Sequence, residues 1–390
     1  MSQLLLALLS SGAVNSIYGT LIISLVIIFV VPAFQRRRIQ LNALTSSAFW
    51  LLFSFGIIYT VIGDFTVRGF EYYLIAPVLA YTAGWCANEN GKKDARSIVG
   101  FLACIILGYG VHALLNYSIN IGRVRWELQD FFSGQFRAAT GSGCINTLIL
   151  SVFTYLIMIE KNRLLKVAGL ALFIIGVLYA LLLGSRTQFI IFAVVNGVIL
   201  ITMEIKKHGA KGGIGVFVIF AVIAGICFYL YTNDVFGIKT YIDASNLLQR
   251  DVGSRALQEA DQYRISSIFR GFTTMFDHPF GGLINESYYH NMWLDIGRVA
   301  GLIPFLIMTS YSIVTFAHVI RIFFDRTNKA CIRYLLLSVY LGVMLNFFVE
   351  PILEGLLDFF LIFCFINGMV ECYYARRNVK SEVCCEGRTY

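Results

Sequence analysis

The stretch VAGLALFIIGVLYALLLGSRTQFIIFAVVNGVILITM, residues 167–203, decides the fold. It holds one charged side chain, Arg186, between two apolar runs. The runs, 165–184 and 187–204, are each near the ~20 residues that carry an α-helix across a bilayer. Almost no loop separates them, so Arg186 sits at a membrane interface. There it is either a snorkelling helix-end arginine or an anion hook at the depth of lipid phosphates. Working outward, the whole chain is of the same kind. It is 58% hydrophobic and 14% charged over 390 residues, with a mean hydropathy of +0.73. Soluble domains carry about 25% charged residues, so a water-soluble fold is excluded. Disorder is excluded too, because it needs low hydrophobicity. The net charge of +8 is scattered between apolar blocks, which argues against a nucleic-acid partner.

Runs long enough to span recur near 16–34, 44–63, 70–87, 97–118, 140–159, 165–184, 187–204, 212–232, 291–320, 332–350 and 354–374. Residues 1–390 therefore read as a single transmembrane domain. The expected fold is an all-α polytopic integral membrane protein of about 11 helices (10–12). No Lys or Arg precedes Arg36, whereas a cleavable signal peptide begins with positive charge. The first apolar stretch therefore reads as an interfacial or re-entrant segment at Leu4–Leu9, followed by a retained span.

Orientation follows from lysine and arginine, which accumulate in cytoplasmic loops. Dense clusters occur at Arg36–Arg38, Lys92/Lys93/Arg96, Lys161/Arg163/Lys166, Lys206/Lys207/Lys211, Arg321/Arg326/Lys329/Arg333 and Arg376/Arg377/Lys380/Arg388. These mark the cytoplasmic side, with a tail at 375–390. The alternate loops hold sparser basic residues: Arg68, Arg123, Arg125, Arg137, Arg186, Lys239, Arg250, Arg255, Arg264 and Arg270. All but Lys239 are arginine, the side chain whose planar fork grips phosphate or carboxylate bidentately. The alternative is that they pair with Asp130, Asp251, Glu259 and Asp261. No cysteine falls in 233–289 and no metal-ligand spacing occurs. Cys384–Cys385 in the tail is a reduced or acylated pair.

Two outer loops are long, 119–139 and 233–289, and long loops in compact proteins usually carry function. Residues 254–277, SRALQEADQYRISSIFRGFTTMFD, have helical periodicity. At 100° per residue Arg264 shares a face with Leu257, Ala260, Ile268, Gly271 and Met275, flanked by Ile265, Phe269, Phe272 and Phe276. The helix is expected to rest on the membrane or on other helices, with Arg264 on its buried face, where a guanidinium needs an anion partner. Arg270 falls on the polar, solvated face. His290 opens the next span in YYHNMWLDIGRVAGLIP and can serve as acid, base or hydrogen-bond donor. Asn291 suits a helix cap or a substrate contact. Asp295 and Arg298 form an internal ion pair or mark a polar pathway. His112 reads as a satisfied core residue. Glu350, Glu354 and Asp358 recur every four residues and either bind a sugar hydroxyl, act as base, or are interface carboxylates satisfied by arginines.

Over residues 165–350 the chain resembles the O-antigen and capsule repeat-unit polymerases (Wzy) and the related O-antigen ligases (WaaL). The resemblance rests on Gly184-Ser185-Arg186-Thr187 ending a span, then a long outer loop. That loop carries Arg264 ahead of the aromatic helix, His278-Pro279-Phe280-Gly281-Gly282, and His290-Asn291-Met292-Trp293-Leu294. Two positions depart from the family pattern: Thr187, where glycine is commoner, and Gly281-Gly282 in place of Gly-x-Gly.

The resemblance implies a GT-C-like, metal-independent and cofactor-free glycosyltransferase in the bacterial inner membrane, with its site facing the periplasm. It would move a glycan from undecaprenyl pyrophosphate onto the next undecaprenyl-pyrophosphate-linked oligosaccharide. Arg186 and Arg264 would hold the pyrophosphate. His290 would either orient or deprotonate the acceptor hydroxyl, or hydrogen-bond the phosphate. Arg123, Arg125 and Arg137 would contact the second lipid-linked substrate, and Arg270, Asn291, Glu350 and Glu354 complete the expected substrate contacts. Membrane lipid and a chain-length regulator are the other expected partners. An O-antigen ligase is the nearest alternative. A lipid-linked sugar flippase, which would show paired internal repeats, is the second.

Overall fold

A computed structural model describes residues 2–12, 24–32, 41–63, 67–90, 95–124, 127–136, 138–243 and 254–386. Among them it is helical, with no strand and a single isolated bridge, Gln129–Phe136. The helices begin with α1 (Ser2–Ser10), α2 (Ser47–Ile62), α3 (Ala76–Asn90) and α4 (Ala95–Asn120). Next come α5 (Ala139–Ser151), α6 (Phe153–Met158), α7 (Arg163–Leu183), α8 (Arg186–His208) and α9 (Ala210–Thr232). Then follow α10 (Ile238–Asp243), α11 (Ser254–Asp277), α12 (Met292–Ala300) and α13 (Leu302–Phe324). The last are α14 (Ala330–Val349), α15 (Ile352–Gly355) and α16 (Leu357–Glu386).

Among the described residues, eight helical stretches are long and apolar enough to cross a bilayer: Ser97–Asn120, Ala139–Met158, Arg163–Leu183, Arg186–His208, Ala210–Thr232, Leu302–Phe324, Ala330–Val349 and Leu357–Arg376. A shorter apolar helix is Ser47–Ile62. The chain is thus an all-α protein of multi-pass membrane type. The run at 70–87 lies in helical chain interrupted by a π-turn, Glu71–Ile75. The run at 16–34 is described only over 24–32.

One expected span is corrected. The run 291–320 is two helices, α12 and α13, broken at Gly301, whose φ of 84° closes the first and opens the second. A left-handed residue cannot sit inside an α-helix, so the apolar run is continuous in sequence and bent in space.

Contacts divide the chain into two units. The first comprises Met1–Ile105, Gln262–Leu336 and Phe347–Tyr390. Its centre is α3 against α16. A Cβ on Gly84 would lie 1.9 Å from the Phe365 carbonyl oxygen, and one on Gly368 equally close to that of Tyr81. The two glycines thus let the backbones meet, as small residues do in membrane bundles.

The second unit comprises Ile106–Asp261 and Leu337–Asn346. Its centre is α5, buried along almost its whole length. Amides tie α5 and α6 to their neighbours. Asn146 Nδ2 donates to the Gly176 carbonyl (2.8 Å) and to Gln188 Oε1 (3.1 Å). Asn196 Oδ1 accepts the Thr154 N–H (2.8 Å), and its amide donates to the Leu150 carbonyl (3.0 Å). The helix is interrupted at Val152, and Asn196 satisfies the backbone groups freed there, which lipid would leave unpaired. Helix α9 offers Phe217, Ile219, Val222 and Phe228 outward, the surface expected of a lipid-facing span.

Candidate functional site

The site in the first unit is built around His290. Asn291 caps α12, its Oδ1 accepting the N–H groups of Trp293 and Leu294, both at 3.1 Å. This satisfies donors that a helix start leaves orphaned. One turn later, Asp295 reaches back. Its Oδ1 accepts the Tyr289 N–H (2.7 Å) and its Oδ2 the Asn291 N–H (3.2 Å). One carboxylate thus holds the amides on both sides of His290, and His290 takes the left-handed conformation, φ 53°. For a non-glycine residue that conformation stores about 1–3 kcal/mol, and such strain concentrates at functional sites.

The imidazole is thereby aimed at Glu350. Nδ1 lies 4.0 Å from Glu350 Oε2, with the His290 side chain 31% exposed and that of Glu350 6%. Both atoms are buried and lack a hydrogen-bond partner. The turn bearing Glu350 is tied to the same loop, because Asn291 Nδ2 donates to the Phe348 carbonyl (3.3 Å). Trp293 also packs on Phe347 and Phe348.

A second charged group braces the first. Arg298 is fully buried. Its Nη1 donates to the carbonyls of Leu283 (2.6 Å), Ile284 (3.1 Å) and Glu286 (3.0 Å). Its Nη2 bonds Glu354, and its Nε lies 3.6 Å from Asp295 Oδ1. Burial pushes the Asp295 and Glu354 carboxyls up from the usual range, while Arg298 pulls both back. Asp295 and Arg298 are therefore an internal ion cluster joined by Glu354, and Tyr288 lies beneath the guanidinium at 5.8 Å.

The His-Pro segment closes this end of the unit. Gly282 and Leu283 donate their N–H groups to the Val299 (2.9 Å) and Arg298 (3.2 Å) carbonyls, and Leu302 donates to Pro279 (2.8 Å). The first two bonds satisfy the last carbonyls of α12. The approach leaves no room for side chains: a Cβ on Gly281 would lie 2.5 Å from the Val299 oxygen, and one on Gly301 2.1 Å from the Pro279 oxygen.

Helix α11 forms over the expected residues. Its described side chains dock through Ser267, Gly271 and Met275, the last in a cluster with Tyr289, Leu294 and Phe305. Ile268, placed by the wheel on the docked side, is 36% exposed, and Phe269, Phe272 and Phe276 also face outward. Ser267, Gly271 and Met275 make the contact, and the aromatics do not. By register Arg264 lies two turns before Gly271 on the same stripe; its side chain is outside the described residues. Arg270 is exposed and pairs with Glu286 at 3.2 Å.

The other expected residues fall as follows. Arg186 begins α8 in the second unit and is half-buried. Gly184 caps the preceding helix at φ 62°. Arg123 donates to the Glu127 carbonyl (3.4 Å), while Arg125 and Arg137 lie outside the described residues. Asp358 is exposed. His112 is a satisfied core residue, bonded to Asp130 (2.8 Å) and Asn116 (2.9 Å), so Asp130 is engaged by histidine. Among the described residues no three His, Cys, Asp or Glu side chains converge to hold a metal ion.

Neither the approach of His290 to Glu350 nor the bridging role of Asp295 is legible in the sequence. The only signal was Asp295 standing four residues after Asn291. No model of a known protein family matches the chain, and no curated protein matches it.

Proposed function

We propose that the chain is an inner-membrane glycosyltransferase of the O-antigen and capsule polymerase kind, with a GT-C-like architecture. In this reading it transfers a glycan from undecaprenyl pyrophosphate to a lipid-linked oligosaccharide at the periplasmic face. The observation that carries the reading is the imidazole of His290, held at a strained backbone, partly open to solvent, with its Nδ1 4.0 Å from the buried Oε2 of Glu350, which has no hydrogen-bond partner. That arrangement suits general-base chemistry on a hydroxyl. In this reading Glu350 accepts Nδ1–H only once the 4.0 Å separation closes in the substrate complex, which leaves the Nε2 lone pair for the acceptor.

The acceptor hydroxyl oxygen then bonds to the anomeric carbon and its proton passes to Nε2. The anomeric carbon–oxygen bond breaks, and its electron pair leaves with the pyrophosphate. Attack from the opposite face inverts the centre. Arg264 is the phosphate ligand of this reading, stabilising charge as it develops on the leaving group.

The test is transfer by purified protein in liposomes, using lipid-pyrophosphate-linked repeat units without ATP or added metal. A polymer ladder is expected. His290→Ala should slow it on the order of 10²–10⁴-fold, and Glu350→Gln at least about tenfold. Transfer onto lipid A core alone would make the chain a ligase. Lipid movement without any new glycosidic bond would make it a flippase.

A further inference from the structure

Away from His290, the second unit contains a loop held with unusual care. His112, Asn116 and Asn120 are spaced by four, so they line one face of α4. Each grips the loop that follows. Asn120 Oδ1 accepts the Gln129 N–H (2.9 Å) and its Nδ2 donates to the Gln129 carbonyl (2.8 Å). Asn116 Oδ1 accepts the Phe131 N–H (2.8 Å). His112 bonds the Asp130 carboxylate, whose other oxygen accepts the N–H groups of Phe132 (3.1 Å) and Ser133 (3.0 Å). The Asp130 N–H donates to the Gln135 carbonyl (2.9 Å), setting Phe136 across from Gln129. Buried polar networks of this kind rigidify what they hold. A span supplies three polar side chains, expensive in a bilayer, to fix one turn of loop.

What the fixed loop presents is an open hollow of about 360 Å³, lined by Arg123, Glu127, Leu128, Gln129 and Phe136. Leu128 is buried beneath it, and Phe136 is 64% exposed at its rim. The volume falls in the ~300–1,000 Å³ range of small-molecule sites. A flat aromatic ring beside a guanidinium, a carboxylate and an amide is the chemistry of pyranose recognition. The ring covers the apolar C–H face of a sugar, and the planar forks take pairs of neighbouring hydroxyls. Glu127 on the rim disfavours a phosphate or nucleic acid, and the three polar groups disfavour an acyl chain.

We infer that this hollow is a saccharide-binding platform, with Phe136 as the stacking surface and Arg123, Glu127 and Gln129 as the hydroxyl ligands. The lipid-linked oligosaccharide as its natural source rests on the proposed function; recognition of a sugar ring does not.

The test uses the full chain in phosphatidylethanolamine–phosphatidylglycerol nanodiscs, probed with soluble fluorescent oligosaccharides released from bacterial O-antigens and capsules. At least one should bind. Phe136→Ala and Gln129→Ala should each weaken it about tenfold, the scale of one lost contact, while Phe136→Trp retains binding. Both side chains are exposed, so melting temperatures should stay at the wild-type value. Failure of every oligosaccharide to bind would overturn the platform, as would binding indifferent to both alanine variants. Quenching of the Phe136→Trp emission by brominated lipid would also overturn it, because the ring would then lie in the bilayer. Sugar binding without ladder formation would remove the polymerase and leave the platform standing. A ladder with neutral platform variants would do the reverse.

Discussion

At the residue scale, His290 sets geometry against stability. Its left-handed backbone suits glycine, yet the position carries an imidazole, held there by the two amides on Asp295. His290→Gly relieves the strain at some cost in unfolded-state entropy, whereas His290→Ala keeps the strain and loses the ring. The glycine variant should therefore melt above the alanine variant in detergent, by the equivalent of about 1 kcal/mol, while neither transfers glycan. If the alanine variant proves the more stable, the conformation at 290 is not strained and the aiming of the imidazole needs another cause. The sequence disclosed His290 and Asn291 through residue type and cap chemistry. It did not disclose Glu350 as the partner, because a contact between residues 60 positions apart depends on how α12 and the turn after α14 pack. Neither hydropathy nor spacing encodes that.

At the element scale, hydropathy read most of the helices correctly because a span must satisfy its own backbone. It failed at Gly301, where the apolar run continues and the backbone turns. On α11 the wheel's face carries the docked Gly271 and Met275, while Ile268 on the same face is 36% exposed. The loop at 129–136 left a faint trace, polar residues every four along a span, whose purpose appears only once Asp130 and Gln129 are seen bonded to them.

The His-Pro-Phe-Gly-Gly segment supplies a test at this scale. Gly281 and Gly301 combine positive φ with backbone oxygens closer than any Cβ tolerates, whereas Gly282 has φ 89° and open space. Gly281→Ala and Gly301→Ala should each cost more than about 2 kcal/mol in thermal stability and lower transfer by loosening the end of α12. Gly282→Ala carries strain alone and should cost about 1 kcal/mol. Equal costs at all three positions would mean that the segment does not pack on α12 as described.

At the scale of the whole molecule, the proposed transfer depends on which way the chain faces. Helix α13 supplies the ruler. Its 23 residues extend about 34 Å at 1.5 Å each, enough to cross a hydrocarbon core of about 30 Å. The loop carrying Asn285 is bonded to the start of α13 through Leu302 and Pro279, and Thr327 follows its end. If α13 crosses, the two positions lie on opposite faces. Under the proposed function the basic cluster Arg321, Arg326, Lys329 and Arg333 around Thr327 would face the cytoplasm. In a cysteine-free background, Asn285→Cys should react with a membrane-impermeant maleimide in intact spheroplasts, and Thr327→Cys only after permeabilisation. Labelling in the opposite order would put His290 on the cytoplasmic face. No lipid-linked repeat unit presented to the periplasm could then reach it, and the proposed transfer would fail whatever the imidazole does. Labelling of both sites in intact spheroplasts would show that α13 does not cross, removing the membrane separation on which the assignment of sides depends.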